Sequence, residues 1–211
     1  EDYAYRHADV VISMLPKVHE YMQSRGMAPH KLHIVPNGID PAEWLADAPA
    51  LQGTAVDILA NLRAQGWSIV GHAGTQGLSN ALDIFLDTAN LMQGEKVAVV
   101  LVSGGPAKSA LQQRAKTEGL QNVRFIDAVE KARIPALLQW FDVAYIGVRR
   151  MPLYRFGIAP NKLTDYMMAG RPVVMAIEAG NDPVTEAGCG LTVKPEDPHS
   201  VAKGIRALLT L

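Results

Sequence analysis

The sequence predicts an α/β fold built on a doubly wound parallel sheet. Beyond residue 67, short apolar runs alternate regularly with longer amphipathic segments. Continuous apolar strands that alternate with helices are typical of a parallel sheet with both faces covered. Glycine loops directly follow two of these strands, at Gly74–Gly77 and Ser103–Gly105. Ligands bind beyond the carboxyl ends of the strands in such sheets, so these loops and the loop 156–162 predict a binding crevice.

The first 53 residues follow a different pattern and are predicted to form a junction segment. Helices are expected over 1–8 and 16–25, and strands over 8–13 and 31–35. The turn Pro36–Asp40 follows, where glycine and asparagine supply unusual backbone angles. The Pro- and Ala-rich stretch 41–53 is predicted to be a connector. The chain is therefore expected to divide into a junction segment, 1–53, and a binding domain, 54–211.

Residues 54–211 are predicted to form one Rossmann-like domain. Strands are expected over 68–72, 97–102, 123–126, 143–148, 173–176 and 191–193. Helices are expected over 55–64, 78–92, 107–118, 133–140, 161–169, 183–187 and 198–209. Thr54 is predicted to cap the first of these helices. Gly170 and Pro172 are predicted to end the helix 161–169, because glycine adopts the left-handed conformation at a helix terminus and proline cannot continue the helix.

The stretch Tyr154–Val174 is predicted to contain the ligand-binding helix. Pro160 suits the start of a helix, and the N-terminus of a helix carries about half a positive charge and several free N–H groups. Lys162 adds a full charge there, and Asp165, one turn further, can accept hydrogen bonds from sugar hydroxyls. This combination indicates a nucleotide-sugar site. A helix cap with a solvated lysine and aspartate is the alternative.

Composition argues against several classes of protein. The chain has 211 residues and a formal net charge of −1, so no basic excess indicates nucleic-acid binding. No apolar run approaches the roughly 20 residues that a membrane span needs. Six histidines without ligand spacing predict no metal site, and the lone Cys189 fits a packing role in a cytoplasmic protein. Residue 1 is Glu, so we expect the chain to begin inside a longer polypeptide.

The glycine loops also argue against two common nucleotide-binding classes. Gly74–Gly77 does not match the dinucleotide fingerprint Gly-x-Gly-x-x-Gly, and no acidic residue ends the second strand. A Gly-Lys-Ser/Thr phosphate loop is absent as well. The sequence therefore disfavours a dehydrogenase and an NTPase.

Several segments carry motifs that occur together in one family. They are Ala8–Ser13, Val35–Asp40, Pro160–Val174, Gly188–Leu191 and Pro195–Pro198. Together they resemble the C-terminal, donor-binding domain of retaining glycosyltransferases with the GT-B fold, and the resemblance covers nearly the whole chain. The run Phe-Gly-x-x-Pro-Asn-Lys-Leu is similar to a subgroup of bacterial surface-polysaccharide enzymes that includes N-acetylfucosamine transferases.

The resemblance implies roles for individual residues. Asp165 matches the carboxylate that binds the donor ribose, whereas the second acidic residue of the family is replaced by Gly157. The basic pair that usually follows the first glycine loop is absent, so the diphosphate is expected to contact Lys162, backbone N–H groups of 158–161 and the first glycine loop. The predicted donor-binding residues are Gly74, Thr75, Gly77, Gly104, Ile158, Ala159, Asn161, Lys162 and Asp165.

The resemblance also implies a function. The donor is expected to be a nucleotide sugar, UDP-linked, without a metal or other cofactor. The acceptor, a glycan or a lipid-linked molecule of lipopolysaccharide or capsule synthesis, is expected to bind an N-terminal domain outside this chain. No catalytic residue can be named, and the chain alone is expected to transfer no sugar. The full protein is expected to be cytoplasmic, at the inner face of the plasma membrane.

Two other functions fit the same residues. One is a non-catalytic nucleotide-binding module of similar fold. The other is a sugar-phosphate epimerase of the same architecture, which needs acid–base side chains in its cleft. His72 is the only candidate for that role, and a packed histidine is the simpler interpretation of it. Arg149, Arg150 and Arg155 flank the predicted site, and Glu130 and Lys131 follow the third strand, where the base is expected.

Overall fold

The computed structural model describes residues 1–45 and 48–210. Its N-terminal part contains a small parallel sheet of two strands, β1 (Val11–Ser13) and β2 (Leu32–Ile34). Helix α1 (Asp2–His7) precedes β1, and helix α2 (His19–Ser24) joins the two strands. The predicted connector contains a further short helix, α3 (Pro41–Leu45), and its residues 46 and 47 lie outside the described residues.

The rest of the chain alternates between helices and strands. The helices are α4 (Thr54–Ala64), α5 (Leu82–Leu91), α6 (Lys108–Thr117), α7 (Ile134–Leu138), α8 (Asn161–Met168), α9 (Pro183–Glu186) and α10 (Pro198–Leu209). The strands are β3 (Ser68–Ala73), β4 (Val97–Val102), β5 (Val123–Ile126), β6 (Val143–Gly147), β7 (Val173–Ala176) and β8 (Gly190–Val193). None of these described helices has the length and apolar character needed to cross a bilayer.

The six strands form one parallel sheet in the order β5-β4-β3-β6-β7-β8. The chain first builds outward from β3 to β5 and then crosses to the other side of β3. The strand order therefore reverses between β3 and β6, which is the point where doubly wound folds bind ligands. The predicted fold class, an α/β doubly wound sheet, is confirmed.

Both faces of the sheet are buried, as the apolar strands predict. Along β4, Val99 and Leu101 pack in a cluster with α5, α6 and α10, whereas Val100 packs in a second cluster with α4, α7 and α8. All six residues of β4 are buried. Each Å² of apolar surface that is buried stabilises the fold by about 25 cal/mol. Because the sheet is buried on both faces, it forms the rigid base of the site.

The predicted helix 78–92 is interrupted, and the break shapes the first glycine loop. Residues Leu78–Asn80 form a 3₁₀ turn, and α5 begins only after Ala81, which adopts the left-handed conformation with φ 46°. Asn80 Nδ2 donates to the Thr75 carbonyl at 2.7 Å, and Ser79 O accepts from the Arg149 amide at 3.0 Å. These contacts hold the turn Leu78–Asn80 next to the first glycine loop, so it does not continue α5.

Two smaller predictions about helices also differ from the structure. Thr54 is the first residue of α4, the cap position is Gly53, and no side-chain cap bond forms there. The apolar spacing of 161–169 predicts that Leu163, Tyr166, Met167 and Ala169 share a buried face, but Met167 is 41% exposed. The predicted helix end is confirmed at Gly170, where φ is 65° and the Arg171 amide donates to Tyr166 O.

Candidate functional site

A cleft of about 480 Å³ lies at the carboxyl ends of β3 and β4. Five of the predicted donor-binding residues line it: Gly74, Thr75, Asn161, Lys162 and Asp165. The first glycine loop forms one wall, and the first turns of α8 form the other. Val129 and Ile134, which follow β5, contribute an apolar end. The glycine loop and the N-terminus of α8 thus face one space, as the sequence predicts.

Tyr166 fixes helix α8 at the end of β3. Its side chain is 1% exposed, and its hydroxyl accepts from the Ala73 amide at 3.0 Å and donates to the Ala73 carbonyl at 3.3 Å. The residue therefore ties the first turns of α8 to the residue that precedes Gly74. Because the phenol is fully buried and bonded, α8 cannot shift along β3 without leaving polar groups unpaired.

Lys162 brings into the cleft a positive charge that has no partner among the described residues. Its Nζ lies 3.2 Å from the position that a Cβ on Gly74 would occupy. No acceptor or carboxylate among the described residues bonds to this ammonium, and burial lowers the pKa of Lys162 from 10.5 to about 8. A half-buried cation is costly unless an anion accompanies it. The position suits a phosphate group.

Asp165 lies one turn further along α8, where the cleft meets a second cavity. That cavity has a volume of about 590 Å³ and extends towards Trp44, Lys131 and Pro135. Burial raises the pKa of Asp165, and the nearby charge of Lys131 partly offsets this effect. Its carboxylate makes no hydrogen bond to another described residue, so it can accept hydrogen bonds from hydroxyl groups of a ligand.

The two glycine loops are joined by direct backbone contacts. The Gln76 amide donates to Gly104 O at 2.8 Å, and Gln76 O accepts from the Ala107 amide at 2.9 Å. Gln76 Nε2 also donates to Ser103 O at 2.8 Å, and the Gln76 side chain is fully buried. Gly77 and Gly104 do not line the cleft. Both glycines instead belong to the loops that support Gly74 and Thr75.

The loop before α8 is held by asparagines from two distant parts of the chain. Asn181 Oδ1 accepts from the Ile158 amide at 2.7 Å, and its Nδ2 donates to the Ile158 carbonyl at 3.1 Å. Asn37 Nδ2 donates to Ala159 O at 2.7 Å and to Asn161 Oδ1 at 2.5 Å. The Ile158 amide was expected to face phosphate, but it is already bonded. Ile158 and Ala159 line a groove on the other side of α8.

The clamp on Ile158 gives a prediction for stability. Replacing Asn181 with Ala should lower the free energy of unfolding by about 1–3 kcal/mol, because an N–H and a C=O in a partly buried loop lose their partners. Urea denaturation would measure this change. Asn90→Ala, which removes an exposed asparagine of α5, is the control and should change stability by less than about 0.5 kcal/mol. Equal effects of the two variants would contradict the role of Asn181.

The arginines that flank the site are engaged elsewhere. Arg149 pairs with Asp83 at 2.6 Å and with Glu196 at 3.6 Å. Arg150 pairs with Glu178 at 3.4 Å. Arg155 stacks over the ring of Phe156 and donates to the Pro152 carbonyl. Each guanidinium therefore already has its contacts. Among the described residues that line the cleft, Lys162 is the one with a basic side chain.

The sequence predicts the cleft but not all of the contacts that support it. The contacts of Asn37 and Asn181 were not predicted, although both residues stand in recognisable turns, Pro-Asn-Gly-Ile-Asp and Gly-Asn-Asp-Pro. Cys189 packs near Val184, where its thiol lies 3.7 Å from the Val184 carbonyl, and burial raises its pKa. The raised pKa disfavours a thiolate and agrees with a packing role.

The comparisons with known proteins agree with this architecture. Residues 68–211 match the family model for glycosyl transferases group 1. A protein of Escherichia coli (strain K12), named as a colanic acid biosynthesis glycosyl transferase, is 27% identical over 89% of this chain and 46% of its own length. The chain thus spans about half the length of that relative.

Solved structures show the same fold at low sequence identity. Anabaena HepE, solved with UDP and glucose, superposes with a TM-score of 0.72 at 19% identity, over 98% of this chain and 55% of its own. WaaG, a glycosyltransferase involved in lipopolysaccharide biosynthesis, gives 0.70 at 15% identity, over 95% of this chain and 53% of its own. The sheet matches those of GT-B glycosyltransferases. The family model covers more than half of the chain, including both glycine loops and α8, so the protein belongs to the group 1 glycosyl transferases.

Proposed function

We propose that residues 54–211 form the donor-binding domain of a retaining, metal-independent glycosyltransferase, with 1–53 as the junction to an acceptor-binding half. The observation that carries this proposal is the Lys162 ammonium between the Gly74 loop and the N-terminus of α8, which has no partner within 1–45 and 48–210. A nucleotide sugar supplies the anion that this cation lacks. The donor would carry UDP, the nucleotide in the HepE complex.

The cleft offers a position for each part of the donor. The diphosphate lies against Lys162 and the free N–H groups at the start of α8. The ribose hydroxyls donate to Asp165, and the base extends towards Val129 and Ile134. The mechanism is electrostatic, because Lys162 and the helix dipole stabilise the negative charge that develops on the leaving diphosphate as the glycosidic bond breaks.

The relatives suggest the biological setting of the reaction. The E. coli relative is named for colanic acid biosynthesis, and WaaG acts in lipopolysaccharide biosynthesis. We therefore propose transfer of a hexosyl or N-acetylaminosugar group to a glycan or lipid-linked acceptor of a bacterial surface polysaccharide, with an N-acetylfucosamine-type subgroup as the nearest class. The full-length protein would work in the cytoplasm, at the inner face of the plasma membrane, where a lipid-linked acceptor is presented.

Calorimetric titration with UDP and with uridine tests the placement of the donor. Lys162→Met should weaken UDP binding about 10- to 100-fold and leave uridine affinity within about twofold, because only UDP carries phosphate. Asp165→Asn should weaken both ligands to the same extent, because both carry the ribose. Added salt should reduce the effect of Lys162→Met, since screening weakens a partly exposed ion pair.

Lys116→Met is the matched control for that titration, because Lys116 is exposed on α6 and does not line the cleft. It should leave the affinity for both ligands unchanged. If Lys162→Met weakens UDP and uridine equally, the lysine does not contact phosphate and the placement is wrong.

A non-catalytic nucleotide-binding module is the second candidate, since the same contacts would serve it. Product formation by the complete polypeptide, given donor and acceptor, separates the two functions. The epimerase alternative loses its one candidate acid–base group, because His72 is fully buried and does not line the cleft.

A further inference from the structure

His72 is fully buried near the end of β3, and its Nε2 atom has no hydrogen-bond partner in the part of the chain that the structure describes. Its Nδ1 lies 3.2 Å from the Tyr145 carbonyl. A carbonyl can only accept, so Nδ1 carries the proton of this bond and Nε2 keeps a lone pair. No described residue donates to Nε2 within hydrogen-bond distance. A buried acceptor without a donor costs folding free energy, so we expect a donor to bind it in the functional state.

The unpartnered nitrogen lies beside the cation of the cleft. His72 Nε2 and Lys162 Nζ lie 3.8 Å and 3.2 Å from the position that a Cβ on Gly74 would occupy. A side chain at position 74 would therefore crowd the Lys162 ammonium and contact His72 Nε2, and glycine leaves this space open. The Gly74 φ of 148° also disfavours any other residue there.

The imidazole is neutral in this environment. Burial is the main cause, and the charge of Lys162 is the next; together they lower the pKa of His72 to about 3. The carbonyls of Tyr145 and Thr75 favour the protonated ring, but their effect is smaller. At physiological pH, His72 is therefore an acceptor for a cation and cannot compete with Lys162 for a bound anion.

We propose that His72 is a positioning residue for Lys162, whose ammonium donates to Nε2 when a diphosphate occupies the cleft. This inference rests on the proposed function of the site. A lysine has three N–H donors, so one bond to Nε2 leaves two for phosphate oxygens. A carboxylate in the place of His72 would hold the lysine equally well, but it would cancel the charge that recognises the diphosphate. A neutral acceptor orients the cation and leaves its charge available.

Three substitutions of His72 separate positioning from packing. His72→Gln keeps a neutral acceptor near the position of Nε2, His72→Met removes the acceptor at similar volume, and His72→Glu adds a carboxylate. UDP affinity should fall less than about threefold for Gln and about tenfold for Met. It should fall at least about tenfold for Glu, because the carboxylate pairs with Lys162 and repels the diphosphate. Uridine affinity should stay within about twofold in all three folded variants.

The pH dependence of UDP binding provides a readout that packing alone would not change. In the unsubstituted protein, UDP affinity should fall as pH rises through the pKa of Lys162, about 8. His72→Glu should move this fall to higher pH, since a neighbouring carboxylate favours the charged lysine. Thermal unfolding of each variant shows which ones are folded, and His72→Leu, which also lacks an acceptor, replaces the Met variant if Met prevents folding.

A double-substitution cycle decides the outcome. In the Lys162→Met background, His72→Met should have no further effect on UDP affinity. If Lys162→Met selectively weakens UDP but a folded His72→Met leaves the ratio of UDP to uridine affinity unchanged, the positioning role is wrong and the phosphate site stands. If Lys162→Met itself leaves that ratio unchanged, both the site and the positioning role are wrong.

Discussion

Replacing Lys162 with Met should stabilise the ligand-free protein, although it removes a residue that we place in the binding site. Burial lowers the pKa of Lys162 from 10.5 to about 8, so the folded state holds the charged lysine at a cost. A shift of that size corresponds to about 3 kcal/mol at most, at about 1.4 kcal/mol per pH unit. The methionine keeps the apolar stem and avoids the buried charge.

The effect should depend on pH in a defined direction. Between about pH 8 and pH 10.5, the unfolded chain retains the proton on Lys162 and the folded chain has lost it. The unfolded state then binds more protons, so the free energy of unfolding of the unsubstituted protein rises with pH over this window. The difference in free energy of unfolding between Lys162→Met and the unsubstituted protein should be largest below about pH 8 and disappear above about pH 10.5.

Urea denaturation at pH 7, 9 and 10.5 would measure that gap, with Lys116→Met as the exposed control. Saturating UDP should narrow this gap at pH 7 by about 1.4–2.7 kcal/mol, which corresponds to the 10- to 100-fold difference in affinity, because a ligand that binds the folded state stabilises most the protein that binds it more tightly. If the free energies of unfolding of the unsubstituted and Lys162→Met proteins change with pH in parallel, Lys162 is well solvated. The lysine would then not need an anion, which would contradict the proposed phosphate site.

The sequence was sufficient to predict the sheet because the relevant signals are local. The run Val97–Val102 has no polar residue, and such a strand fits only the interior of a sheet that is covered on both sides. Gly170 and Pro172 mark the end of α8 through backbone angles that few residues adopt. The loops with Gly74 and Gly104 follow their strands directly, so their place at the carboxyl edge follows from the fold class.

The support of the site could not be predicted because it depends on contacts between distant segments. Asn37 and Asn161 are 124 positions apart in the chain, yet their side chains share a hydrogen bond. The position of Lys162 over Gly74 depends on how Tyr166 fixes α8 against β3, which no local pattern encodes. Likewise, the helix breaks at Ala81 next to the bond between Asn80 and Thr75, whereas the apolar spacing alone favours a continuous helix.

Replacing Gly105 with Ala should both destabilise the protein and disrupt the cleft. An added Cβ would lie 2.5 Å from Gln76 O and 2.7 Å from Gln76 N, both of which are backbone atoms that cannot turn away. Gly105 also has a φ of 143°, a conformation that costs a non-glycine residue about 1–3 kcal/mol. With the steric overlap added, we expect a loss of at least about 3 kcal/mol in the free energy of unfolding.

The same change should weaken UDP binding in any protein that still folds. The clash separates the two glycine loops and breaks the bond from the Gln76 amide to Gly104 O, so Thr75 and Gly74 move away from Lys162. Gly104→Ala is the matched control, because a Cβ there meets no atom within 4 Å and the backbone angle is ordinary. It should change stability by less than about 0.5 kcal/mol. Equal stability and equal UDP affinity for the two variants would show that the contact between the loops does not shape the site.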